Sequence, residues 1–111
     1  MASDLAQKRR TLDWWPMFVR EMFAEIGVAL DGKPLDPTLD YDIKGPWPDH
    51  RIEIAYVSRE DFAAERMEEP EGKYFVHIVG KRFGGARWEF RQDELDSLVA
   101  EALRNRPPQS T

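Results

Sequence analysis

Two histidines, four serines and 21 carboxylates are the groups with which this 111-residue chain would have to do chemistry, and cysteine is absent. His50 and His77 fall in different elements, and neither has a second histidine three or four residues away. A zinc site would therefore need the fold to bring both together with a carboxylate. His77, flanked at alternate positions by Phe75 and Val79, reads instead as a packed or half-exposed strand residue. None of Ser3, Ser58, Ser97 and Ser110 lies in a G-x-S-x-G elbow. The run Gly80-Lys81-Arg82-Phe83-Gly84-Gly85 lacks the lysine and hydroxyl residue that follow the last glycine of a phosphate loop. Abundant acids are not a catalytic pair, which needs two carboxyls held across a cleft. The absence of cysteine removes disulfides, thiolate metal sites and thiol nucleophiles, and is compatible with a reducing interior. The expectation is a protein that is not an enzyme and that uses no cofactor or metal.

What stands out chemically is the stretch from Lys73 to Arg91. Lys73, Lys81, Arg82, Arg87 and Arg91 oppose only Glu89 there, a net of +4, which leaves −9 for the rest of a chain whose total is −5. Tyr74, Phe75, Phe83, Trp88 and Phe90 interleave with those cations. Basic side chains among aromatic platforms on a sheet are what single-strand nucleic-acid binders use, so that is one reading. A pI near 5.0 weighs against phosphate contact, and the likeness of KRFGGARWEF to the RNA-recognition consensus is loose. The favoured reading is a surface that binds a partner protein, as an adaptor, inhibitor or chaperone-like domain. Arg and aromatic residues dominate interface energetics. On that basis Trp47, Lys81, Arg82, Phe83, Arg87 and Arg91 are the candidate partner-binding residues. A hairpin edge could also pair with a second copy and make a homodimer. Residues 60–71, with six acids against Arg66, read as a solvated face or as a contact for a basic partner.

The elements that must position these residues follow from periodicity. Gly84-Gly85 between two β-rich runs suggests a two-residue hairpin turn. That register sets Phe83 against Ala86, Lys81 against Trp88 and Val79 against Phe90. Phe75, His77, Val79, Trp88 and Phe90 then share one face. Trp15, Phe18, Val19, Met22, Phe23, Ile26, Ala29 and Leu30 fall at the 3–4 spacing of a helix face. Pro16 suits its first turn, Thr11 or Asp13 its cap, and Asp31-Gly32 its end. From 31 to 50 the chain becomes Pro-rich, with Pro34, Pro37, Pro46 and Pro48. It reads as a long loop in which a short strand near Tyr41–Ile43 fits, and Trp47 packs or projects. Its aspartates do not match a calcium loop. Arg51 to Val57 alternates as a strand with Ile52, Ile54 and Tyr56 on one face. Ser58 with Asp61 resembles a capping box that opens a short helix to about Met67. A closing helix starts at Gln92 or Asp93, buries Leu95, Leu98, Val99, Ala102 and Leu103, and stops at Pro107-Pro108. Residues 3–10 form an exposed lead-in or a short helix, and 107–111 a loose tail.

The length suits one domain, here residues 1–106. Lys8, Arg9 and Arg10 ahead of Trp14–Val19 could imitate a signal peptide, but Asp13, Arg20, Glu21 and Glu25 break the apolar run. No stretch approaches the roughly 20 apolar residues that span a bilayer, so no membrane partner is expected. A cytoplasmic protein of bacterial or phage type is the resulting expectation. The fold class is α+β: a three- or four-stranded, mainly antiparallel sheet with a long N-terminal helix and a C-terminal helix packed on one face.

Overall fold

The computed structural model describes residues 3–82 and 85–106, and for Ser3, Asp4 and Ala6 the backbone alone. The described residues run α1 (Ser3–Arg9), a 3-10 turn (Leu12–Trp14), α2 (Met17–Ala29), β1 (Tyr41–Lys44), β2 (Arg51–Val57), α3 (Arg59–Ala64), β3 (Lys73–Val79), β4 (Ala86–Phe90) and α4 (Gln92–Arg104). The four strands make one antiparallel sheet in the order β1-β2-β3-β4. The α+β expectation therefore holds. The long N-terminal helix is the 13-residue α2, with α1 and the 3-10 turn as separate pieces before it.

Pro16 stands at the N-cap of α2, where its missing N–H costs nothing. Val19, Met22, Phe23 and Ile26 form the helix stripe and are essentially inaccessible. Trp15 lies just before the helix rather than in its first turn. It is buried all the same, because its indole N–H donates to the Arg9 carbonyl at 2.7 Å and its ring meets Phe23 and Phe90 edge-on or tilted. The helix ends in a Schellman motif, with Gly32 N–H bonded to Gly27 O at 3.0 Å and Asp31 N–H to Val28 O at 3.1 Å. α4 buries Leu95, Leu98, Val99 and Ala102 against the same core. Its start is fixed by Glu94, whose carboxylate accepts the Arg91 N–H at 3.4 Å. The two helices approach closely at Gly27, where a Cβ would sit 3.0 Å from that of Leu103.

The hairpin register departs from the sequence expectation. β3 and β4 are joined by residues 80–85, and Phe90 faces Tyr74 instead of Val79, a five-residue shift. Trp88 faces Val76 and Ala86 faces Ile78. Because side chains alternate with period two, an odd shift moves a whole set to the other face. Trp88 and Phe90 therefore join Tyr74, Val76 and Ile78 toward the helices, while Phe75, His77 and Val79 point away. The cause is the core: Phe90 packs on Trp15 and Phe23, and Trp88 on Phe18, contacts the tighter turn would forfeit. Lengthening a loop by a few residues costs little by comparison. Phe83 and Gly84 lie outside the described residues.

The short strand expected near Tyr41–Ile43 is present, and one further expectation shifts. The Pro-rich loop contains a true strand, β1, paired Tyr41↔Ile54 to Lys44↔Arg51. The helix after Ser58 ends at Ala64, short of the expected Met67, which is exposed. Ser58 Oγ accepts the Asp61 N–H at 3.0 Å as a cap. Phe62 of this short helix packs on Phe75, so α3 covers part of the sheet face opposite α2 and α4. The rest of that face carries an in-register row of Asp42, Glu53, His77 and Arg87. Arg51 bridges Asp42 and Glu53 at 3.3 and 3.0 Å.

Segment 31–40 is held on α4 by one bond, from the Leu35 N–H to the Asp96 carboxylate at 3.1 Å, with Leu35 buried beside it. Burial pushes the Asp96 carboxyl above the ordinary carboxylate range; the Leu35 bond opposes this and the Asp93 charge adds to it. An acid whose folded value is raised binds its proton better when folded. Its contribution is thus full at low pH and is lost as pH rises through the raised value. Asp96→Asn keeps the acceptor without the charge. Its Tm is expected to exceed the parent's at pH 7, with the gain vanishing near and below the ordinary aspartate value of about 3.9. Melting both proteins from pH 3 to 8 checks this; a gain that does not change with pH would contradict it.

Candidate interaction surface

In a four-stranded meander the β1–β2 and β3–β4 connections lie at the same end of the sheet, and here a histidine joins them. Residues 45–50 close the first connection through Gly45 N–H to His50 O at 2.9 Å and His50 N–H to Trp47 O at 3.3 Å. Pro46 and Pro48 restrict φ on either side of Trp47. Asp49 takes a left-handed φ of 62°, a conformation aspartate tolerates better than most residues. The His50 ring, only 5% exposed, points from this turn into the second connection.

Both ring nitrogens are engaged. Nδ1 lies 2.8 Å from the Pro48 carbonyl, and Nε2 lies 3.1 Å from the backbone N–H of Arg82. A carbonyl can only accept and an amide N–H can only donate. Nδ1 therefore carries the proton and Nε2 accepts, which fixes a neutral ring and its tautomer. Gly80 makes room for the ring, since a Cβ there would overlap it. The Trp47 ring meets His50 edge-on at 5.8 Å, and its indole N–H donates to Glu21 of α2 at 2.9 Å. One buried imidazole thus couples α2, the 45–50 turn and the 80–85 connection.

This end of the sheet gathers three of the six residues singled out from the sequence. Trp47 is half-buried, and Lys81 and Arg82 are exposed beside it in the neighbouring connection. Phe83 lies outside the described residues. Arg87 is elsewhere, on the sheet face away from α2, with its guanidinium 5.8 Å from the centre of the Phe75 ring. Arg91 is at the opposite end of β4, bonded to Glu71 at 2.7 Å and near Asp93 at 3.8 Å. It serves as the N-cap residue of α4 and does not pair with Glu89. Lys73 is likewise taken, by Glu69 at 3.1 Å. Much of the +4 of the hairpin is neutralised locally.

The role that sequence reasoning missed is that of His50, weighed there only as a possible metal ligand. A histidine closing a Pro-rich turn, with a small Gly80 at the end of another strand, was the available signal. His77 is a strand residue as expected, half-exposed, with Nδ1 3.8 Å from Glu53. Among the described residues there is no group of three His, Cys, Asp or Glu side chains arranged to hold a metal ion. No helix among them is long and apolar enough to cross a membrane.

Behind Trp47 lies a half-open groove of about 570 Å³, between α2, the 45–50 turn and the C-terminal end of α4. At the other sheet edge, Arg9 donates to the carbonyl of Glu89 at 2.8 Å, so β4 is partly covered by the N-terminal segment. No protein-family model, curated protein or solved structure matches this chain.

If His50 is the joint, enlarging Gly80 must loosen it. Its φ is not left-handed, so alanine meets the imidazole rather than backbone strain. Gly80→Ala is expected to cost about 1–3 kcal/mol and to speed hydrogen exchange at the Arg82 amide. An unchanged Tm with that amide still protected would mean that the ring does not hold the second connection.

Proposed function

We propose that this chain is a non-enzymatic protein-binding domain of adaptor, inhibitor or chaperone-like type. It engages its partner at the end of the sheet where residues 45–50 meet residues 80–82. The observation that carries this reading is the buried His50, which ties the 45–50 turn to the Arg82 backbone with no partner present. Preorganisation of that kind lowers the ordering cost of binding. Trp47, Lys81 and Arg82 supply the aromatic and cationic groups typical of interface anchors. Arg87 and Arg91 stand apart from this end and are not assigned to the contact.

The competing reading is single-stranded nucleic-acid binding by the 73–91 hairpin. It needs aromatic rings open for stacking. Tyr74 and Phe90 are buried in the core, Trp88 packs against it, and Phe75 lies between Phe62 and the Arg87 guanidinium. Lys81 and Arg82 alone make a small phosphate-binding surface on a chain of net charge −5. Protein binding is therefore preferred. The lack of cysteine suits a reducing compartment, and we place the protein in the cytoplasm on that ground.

The test is recovery from lysate by the intact chain and by a Lys81→Ala/Arg82→Ala double variant, each with and without nuclease. A protein recovered irrespective of nuclease, and depleted with the folded double variant, is the expected result. Recovery of RNA or DNA, with accompanying proteins lost on nuclease treatment, would overturn the proposal in favour of nucleic-acid binding.

A further inference from the structure

The groove behind Trp47 has a chemistry of its own. Its walls include the apolar groups of Leu12, Met17, Ala24, Pro46, Trp47 and Ala102. About 570 Å³ falls within the range of roughly 300–1,000 Å³ typical of ligand pockets. Met17 is 63% exposed on the first turn of α2, a large side chain left in water at the groove's mouth. Trp14, 43% exposed, is another large apolar group left open just before that helix.

The rim is not neutral. Glu21 and Glu25 stand one helical turn apart on the α2 wall. Arg20, also in the lining, is offset by Asp13, a further acid of the groove 3.9 Å away, while its Nε donates to the Trp15 carbonyl at 2.7 Å. The C-terminal end of α4, with its negative partial charge, closes one side, and Arg106 is the basic group set against these acids. The chain beyond the hairpin adds a long-range negative field, which draws cations toward such a site.

We infer that this groove docks a short segment of the partner protein in which large apolar side chains alternate with lysine or arginine. The apolar groups enter the groove beside Met17 and Trp47, and the cations meet Glu21 and Glu25. The inference rests on the protein-binding proposal and shares Trp47 with it, but it adds a second contact region and the chemistry of the occupant.

A random dodecapeptide library displayed on phage, selected against the intact chain, supplies the probe. Enriched peptides are expected to combine Leu, Ile, Met or Phe with Lys or Arg. A synthetic copy of one should bind at least about tenfold more weakly to Met17→Asp. The exposed Met17 makes that variant compatible with folding, which circular dichroism verifies. Glu21→Gln, which keeps an acceptor for the Trp47 indole, combined with Glu25→Gln, should weaken binding and flatten its salt dependence. Peptides rich in acids, or binding indifferent to all three groove substitutions, would overturn the inference. If binding is instead lost only in Lys81→Ala/Arg82→Ala, the groove is wrong while the sheet-end proposal stands. If no peptide is enriched and no protein is recovered from lysate, both fall.

Discussion

The imidazole of His50 is bonded on both sides, to the Pro48 carbonyl and to the Arg82 N–H, in a place where water scarcely reaches. A buried ring nitrogen left without a partner would cost on the order of 1–3 kcal/mol, so each bond constrains the other. Neither the Pro-rich turn nor residues 80–82 belong to a helix or strand that would hold them. The ring supplies what the sheet does not, a fixed distance between two loops on neighbouring hairpins. Trp47 extends the constraint to α2 through Glu21. A chain of contacts thus runs from the Arg82 amide through His50 and Trp47 to α2.

The opposite end of the sheet is built on charge pairs rather than on a buried ring. Arg91 with Glu71, Lys73 with Glu69 and Arg9 with Glu94 tie the strand ends and α4 together. Most of these groups are partly exposed, and such pairs contribute little individually. They engage Lys73 and Arg91 at this end, while Lys81 and Arg82 lie at the other end, next to Trp47. Arg87, stacked over Phe75, stays with the other face of the sheet.

Sequence periodicity reached the elements whose burial is one-sided. The 3–4 stripes of α2 and α4 and the alternation of β2 correspond to the inaccessible residues Met22, Phe23, Ile26, Ile52, Ile54, Leu95 and Leu98. It failed where both faces of a strand look apolar. In β3, Tyr74, Val76 and Ile78 alternate with Phe75, His77 and Val79, so local pattern does not say which set is inside. The glycine pair then suggested a register that tertiary contacts to Trp15 and Phe23 override. β1, expected as a short strand near Tyr41–Ile43, is present as Tyr41–Lys44, although four residues between prolines give only a brief alternation. The site was legible only in part. Arg and Trp could be nominated by type, but the joining of two loops depends on His50 meeting Arg82, 32 residues apart in the chain, and is a matter of contact and not of motif.

The account depends most directly on the state of that ring. Nitrogen-15 NMR of the histidine side chains at neutral pH reads it. We expect His50 to show a protonated Nδ1, a bare Nε2, and a scalar coupling across the hydrogen bond from the Arg82 amide to Nε2. A ring protonated at Nε2, or one sampling both tautomers with no coupling to Arg82, would contradict the claim that His50 locks the two connections into a single binding end.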